Sequence, residues 1–213
     1  TNGDDATGQR GTTKAFQTIA AGLAAAQDGD LVLLSPGTFN EDITFTKGVN
    51  LSGTMSEQSL GVGTKINGNF VYDMTTSPSA TPSIHHIYFK TPNTNPAFKA
   101  IANNVNSGAV MVDDCAFGGF GGNSGLAFET SGTMSRSMYV RRATFDGSVK
   151  HGAGAADGSG GYVVLDDILA TGSSSFFYEV VSGTIEFRRP SNAISPVLHT
   201  GGTIVFTDMP AGI

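Results

Sequence analysis

The chain has 213 residues, 39% of them apolar and only 14% charged, with 29 glycines and a net charge of −6. This is enough apolar side chain for one domain with a sizeable core, which excludes a disordered chain, and the many glycines and few charges argue against a helical bundle. The acidic balance leaves no basic footprint for nucleic acid. No apolar run approaches the ~20 residues of a membrane span, so neither nucleic-acid binding nor membrane insertion is expected.

In chain order, residues 1–14 are polar and glycine-rich and read as an arm or loop, with 15–213 as a single domain. A helix is expected over 15–26. Phe16, Ile19, Ala20 and Leu23 form one apolar stripe at i, i+3, i+4 and i+7. Thr12 or Thr13 suits its N-cap, and Gln27-Asp28-Gly29-Asp30 ends it, with Gly29 fitted to a left-handed turn. The chain starts at Thr1 without initiator Met, charged n-region or apolar h-region, which reads as a processed product or an excised fragment.

Strand grammar follows. Leu31–Leu34 closes on the turn Ser35-Pro36-Gly37. Glu41–Phe45, Val49–Leu51, Lys65–Tyr72, Ala97–Ile101, Leu126–Glu129, Phe176–Val180, Thr184–Phe187 and Thr203–Thr207 are further candidates, separated by Gly, Ser, Asn or Pro. Gly118–Ser124 and Gly152–Gly161 read as exposed turns.

Four segments repeat one phrase. Ile84-His85-His86-Ile87-Tyr88-Phe89, Val112-Asp113-Asp114-Cys115-Ala116-Phe117, Val140-Arg141-Arg142-Ala143-Thr144-Phe145 and Leu165-Asp166-Asp167-Ile168-Leu169-Ala170 start 28, 28 and 25 residues apart (84, 112, 140, 165). Late starts at Leu165, Ile185 and Ile204 suggest coils that tighten toward the C-terminus. A strand-rich unit of this length is the mark of a solenoid, in which each coil pairs the open edge of the one below. The predicted helix before the first strand caps the first coil, whereas the C-terminal end keeps an open edge that an oligomer or further chain would cover. Most of the 14 Phe fall in inward slots of the repeat and are expected to stack in the core.

Ala15-Phe16-Gln17-Thr18-Ile19, Ala24–Asp30, Ser35-Pro36-Gly37-Thr38-Phe39-Asn40-Glu41 and Val49-Asn50-Leu51-Ser52-Gly53 resemble the opening of right-handed parallel β-helix proteins of the pectin-lyase-like superfamily. The resemblance implies an all-β, single-stranded right-handed parallel β-helix with an N-terminal helical cap. The start, Gly3–Gly11 with the Phe-x-Thr-Ile helix, is similar to phage tail spike and tail fibre β-helices. That similarity implies a homotrimeric, non-enzymatic virion component, assembled in the host cytoplasm, that contacts a cell-surface polysaccharide or other virion proteins. Two alternatives share the fold: a polysaccharide-degrading lyase or hydrolase-type depolymerase, and a bacterial surface adhesin, extracellular or on the cell surface. The Asp-Phe-Ile-Phe-Gly-like strand of pectin methylesterases is absent, and the Trp-x-Asp-His element of pectate lyases cannot occur in a chain with no Trp. Arg188-Arg189-Pro190 matches the lyase Arg-Pro motif only in those residues.

If the repeats stack in register, Asp113, Asp114, Arg141, Arg142, Asp166 and Asp167 form a column of acid under base under acid, headed by His85-His86. One reading is a structural ion ladder. The other is a catalytic or uronate-binding cluster, in which carboxylates suit Ca²⁺ and arginine suits a sugar carboxylate. Glu129, Asp146 and Asp157 add carboxylates for a glycosidase-like acid pair. No cofactor is expected, with Ca²⁺ the one cation these carboxylates suit. Asp4-Asp5 and Asp28-Gly29-Asp30 read as turn formers. A metal pair at His85-His86 is disfavoured, because neighbours on a strand point to opposite faces. The single cysteine, Cys115, forbids an internal disulfide, leans toward a reducing compartment and occupies an inward slot.

Overall fold

Short runs of β-branched and aromatic residues, each broken by Gly, Asn or a polar pair, produce strands too short to stand alone but able to stack. A computed structural model describes residues 3–11, 14–54, 63–75, 80–102, 110–119, 125–132, 137–153, 161–171, 178–191 and 197–209. The first coil comprises β1 (Leu31–Leu33), β2 (Gly37–Phe39) and β3 (Ile43–Phe45). The second has β4 (Asn50–Ser52), β5 (Thr64–Asn67) and β6 (Phe70–Asp73), and the third β7 (Ser83–His85), β8 (Ile87–Lys90) and β9 (Phe98–Ala102). The fourth has β10 (Val110–Asp113), β11 (Ala116–Gly118) and β12 (Leu126–Gly132), and the fifth β13 (Ser137–Arg141), β14 (Thr144–Asp146) and β15 (Ser148–Ala153). The sixth has β16 (Tyr162–Asp166), β17 (Leu169–Ala170) and β18 (Tyr178–Val180); β19 (Thr184–Arg188), β20 (Val197–His199) and β21 (Thr203–Thr207) finish the stack.

The first strand of each coil joins one eight-stranded sheet (sheet A), the second a six-stranded sheet (B), and the third a seven-stranded sheet (C), all parallel. The molecule is a right-handed parallel β-helix with a small helical cap. Strand spacing of ~4.8 Å sets one rung per coil.

Register places Ile84, Val112, Val140, Leu165, Phe187 and Phe206 in one inward column of sheet A. The four repeated phrases therefore stack as their spacing predicts. The late coils differ by two residues from the expected phase: Leu165 pairs with Phe187, while Ile185 and Ile204 continue the column of Val163. Both frames are apolar at alternate positions, so periodicity alone does not separate them.

Two phenylalanine stacks fill the interior. Phe89, Phe117 and Phe145 stack from sheet B at 5.5 and 5.1 Å, and Phe70, Phe98 and Phe128 from sheet C at 5.5 and 5.4 Å, with ring planes within 15° of parallel. Across the core the stacks meet edge to face, as in Phe98–Phe117 and Phe117–Phe128 (78° each). Offset and edge-on contacts are the geometries that the ring quadrupole favours, worth about 0.5–1.5 kcal/mol per pair beyond burial.

The helix, α1, spans only Ile19–Ala25 and buries Ile19 and Leu23 on the first coil. Its cap is Thr18, whose hydroxyl accepts from the Ala21 amide; Thr12 and Thr13 lie outside the described residues. The chain cannot enter the helix earlier because Asp5, from the arm, accepts the Gln17 and Thr18 amides. Glu41, from the first coil, accepts the next two, of Ile19 and Ala20. Lys47 donates to the carbonyls of Leu23, Ala24 and Ala26 at the other end. The expected stripe shifts accordingly: Ala20 is exposed and Ala26 buried.

The predicted strand Lys65–Tyr72 is two strands, β5 and β6. Gly68 turns the corner between them, where a Cβ would fall 2.0 Å from the Glu41 carbonyl oxygen of the coil below. Gly118 and Gly119, expected in an exposed turn, are buried, the first ending β11, and Gly152 lies within β15 and is buried too. The remainder of both glycine-rich stretches, as well as Phe176 and Phe177, lies largely outside the described residues.

Candidate functional site

The second residue of each polar pair makes the corner where the chain leaves sheet A, toward sheet B in the four repeated phrases. His86, Asp114, Arg142, Asp167, Arg189 and Asp208 all have φ between 43° and 57°, a left-handed conformation that costs an L-residue roughly 1 kcal/mol or more. A ladder of amides holds it: His86 donates to the Asp113 carbonyl, Asp114 to Arg141, Arg142 to Asp166 and Asp167 to Arg188, at 3.0–3.3 Å. The turn also corrects an expectation. His85 and His86 do not point to opposite faces. The corner breaks strand alternation and brings their rings to 6.2 Å on the outside of the tube.

Two outward columns result. The first runs Ser52, His85, Asp113, Arg141, Asp166, Arg188, Thr207, and the second follows the corner residues. Arg141 grips Asp113 with two hydrogen bonds (2.7 and 2.6 Å), and Arg142 grips Asp114 likewise (2.7 and 2.8 Å). Asp113 is buried and Asp114 half-exposed. The histidines head the columns at 3.8 Å from Asp113 and Asp114, beyond hydrogen-bond length. Higher up the pairing shifts. Arg189 crosses diagonally to Asp166 (3.0 and 2.6 Å), Arg188 turns to Glu186 on its own strand (2.7 and 2.8 Å), and Asp167 accepts from the Ser191 hydroxyl.

These bonds set the ionisation. The Arg142 guanidinium holds the Asp114 carboxyl below the usual range, and Asp114 raises Arg142 in turn. Burial lowers His85, with Asp113 opposing. Glu186 is held at about 2, first by Arg188, then by the Tyr162 and Thr207 hydroxyls, both of which donate to it. It points out of sheet A yet is only 3% exposed, because these neighbours sheathe it. A carboxylate so held stays ionised at neutral pH and is a poor general acid. Burial pushes the Cys115 thiol up to about 12, an inert core residue.

Sequence reasoning missed Glu186 and Tyr162 as members of this surface. The available signal was the two-residue spacing of Glu186 and Arg188 on one strand. It also missed a second charge column on the outside of sheet C, with Lys99 on Glu129 (2.7 Å) and Lys150 on Glu179 (3.0 Å). The insertions between coils differ in length and hide that period. Glu129 is thereby a ladder member, Asp146 ends β14 on the outside of sheet B, and Asp157 lies outside the described residues. Asp4 accepts the Ala6 amide as a turn former, whereas Asp28 accepts the Gly48 amide twenty residues on and Asp5 the helix-entry amides; Asp30 accepts from Gln27 and from Arg10 of the arm. Among the described residues no three His, Cys, Asp or Glu side chains converge as metal ligands. A cleft of about 890 Å³ lies at the far end, between the arm, α1 and β1–β2, and none of the paired column residues lines it.

Comparison with protein-family models, with curated proteins and with solved structures finds no match to this chain.

Proposed function

We propose that this chain is a rigid attachment module of a phage virion, a tail spike, tail fibre or surface fibre domain that trimerises and presents its outer faces to a host-surface glycan. The parallel β-helix supports a stiff rod, and the opening resemblance to phage β-helices of the pectin-lyase-like superfamily supplies the class. One observation favours attachment over depolymerase chemistry: Asp113, Asp114 and Asp166 are each occupied by a bidentate guanidinium, so the column spends its acids and bases on one another. A catalytic pair needs groups available to substrate.

Light scattering behind size exclusion tests the assembly: three chains of 21.9 kDa should travel together, and a stable monomer would contradict the fibre reading. Incubation with host capsule or lipopolysaccharide should retain glycan without release of unsaturated products or new reducing ends. Release that is abolished by Asp114→Ala or Arg141→Ala would assign the depolymerase role instead.

A further inference from the structure

The fifth coil (β13–β15) and the sixth (β16–β18) are joined differently from their neighbours. Below this seam Arg141 and Arg142 reach down to Asp113 and Asp114, and above it Arg189 reaches down to Asp166. Asp166 stands over Arg141 in register, yet it acts on that guanidinium only at longer range. Among the described residues the one ion pair that crosses is Lys150–Glu179, on the outside of sheet C.

The interior changes at the same level. Phe145 lies beneath Ala170 and Phe128 beneath Val149, so both phenylalanine stacks stop by this rung. Sheet B pairs two residues across the seam, Thr144 with Leu169 and Phe145 with Ala170, against three in the rung below. Thr130, Ser148 and His151 are buried here, where the lower coils are lined with aromatic rings. Ser148 Oγ and His151 Nε2 have no hydrogen-bond partner among the described residues, and a buried polar atom left so carries its full desolvation cost. Units that open on their own part where such joining is weakest.

We infer that the tube carries an acid-opened seam: β16–β21 detach from β13–β15 and reclose as one unit, and His151 is the trigger, because detachment gives its imidazole to water. The inference rests on residues inside the tube and not on the virion reading. His151 lies in register under Val180 of the sixth coil and against the Thr130 hydroxyl of the fourth. Among the described residues no charged side chain faces it. Glu129 of β12, Lys150 of its own strand and Glu179 of β18 point out of sheet C, and Glu186 of β19 points out of sheet A. Tyr178 is the other titratable side chain buried at this level, pushed up by burial, and His199 lies two rungs above. Burial lowers His151 from 6.5 to about 4. The open form therefore takes up the proton first, and opening grows as pH falls from 6.5 toward 4.

Amide hydrogen exchange of the intact protein, followed by mass spectrometry and corrected for the intrinsic rate at each pH, is the test. Between pH 7 and pH 5 the protection of β16, β18 and β19 should fall about twentyfold, the ratio set by the two His151 values. Protection of β5–β12 should hold. His151→Gln should remove the fall. Should that variant misfold, a second probe remains. In a Cys115→Ala background, Tyr139→Cys with Val164→Cys places a disulfide across the seam. Closing it should restore the protection of β16 at pH 5, and reducing it should remove that protection again. Equal losses in both parts of the tube, or no loss at pH 5, overturn the inference. So does a loss in the upper coils that neither His151→Gln nor the disulfide alters.

Discussion

Two identical bonds in this molecule sit in different solvents. Arg141–Asp113 and Arg142–Asp114 are both bidentate, but the Asp113 side chain is 4% exposed and that of Asp114 29%. Arg141→Ala leaves a buried carboxylate with only Arg142 at 3.9 Å and His85 at 3.8 Å. It should cost about 1–3 kcal/mol in urea unfolding, against at most about 1 kcal/mol for Arg142→Ala. Equal costs would mean that burial does not distinguish the two columns. The pairs themselves were legible in the sequence, because two successive polar residues in an apolar strand mark a corner. The left-handed turn was not, since Asp and His tolerate that conformation but Arg does not advertise it. Nor were the partners of Arg188 and Arg189, which follow from where each guanidinium reaches after the coils shorten.

At the scale of one element, β15 carries a defect in the core. His151 is 1% exposed, shares a 2.7 Å hydrogen bond with Thr130 and leaves Nε2 without a partner among the described residues. Burial lowers its pKa from 6.5 to about 4. The unfolded chain therefore binds the extra proton first. Stability is full above pH 6.5, falls as pH drops toward 4, and levels off below. The loss is on the order of 3 kcal/mol at about 1.4 kcal/mol per pH unit. Glu186, lowered from 4.5 to about 2, gives up its contribution between those two values, at or below the lower pH of the comparison. His85, which burial also lowers, is common to both proteins, so His151→Gln should flatten the difference between pH 7 and 4.5 in denaturant midpoints. Parallel profiles would place the pH response elsewhere. Helix α1 shows the complementary lesson. Its existence, its end near Ala26 and the left-handed turn at Gly29 were readable, but its start was not, because Asp5 and Glu41 reach it from distant sequence.

For the whole molecule, the repeat of about 28 residues carried the architecture. It declared stacked coils, an inward aromatic column and an outward polar pair, all of which the register contains. It did not declare the phase of the last coils, where two apolar frames compete, or the Lys–Glu column on sheet C, whose spacing is scrambled by loops. A solenoid stands or falls on one rung per coil, and cross-linking measures that directly. In a Cys115→Ala background, Tyr139→Cys with Val164→Cys joins neighbours in register on the outside of sheet A, at about 4.8 Å, inside the ~4.4–6.8 Å range for a disulfide. Met111→Cys with Val164→Cys spans two rungs, roughly twice that distance. Mild oxidation should close the first pair within one chain and leave the second as free thiols. Closure of the second pair, or free thiols in the first, would contradict the stack.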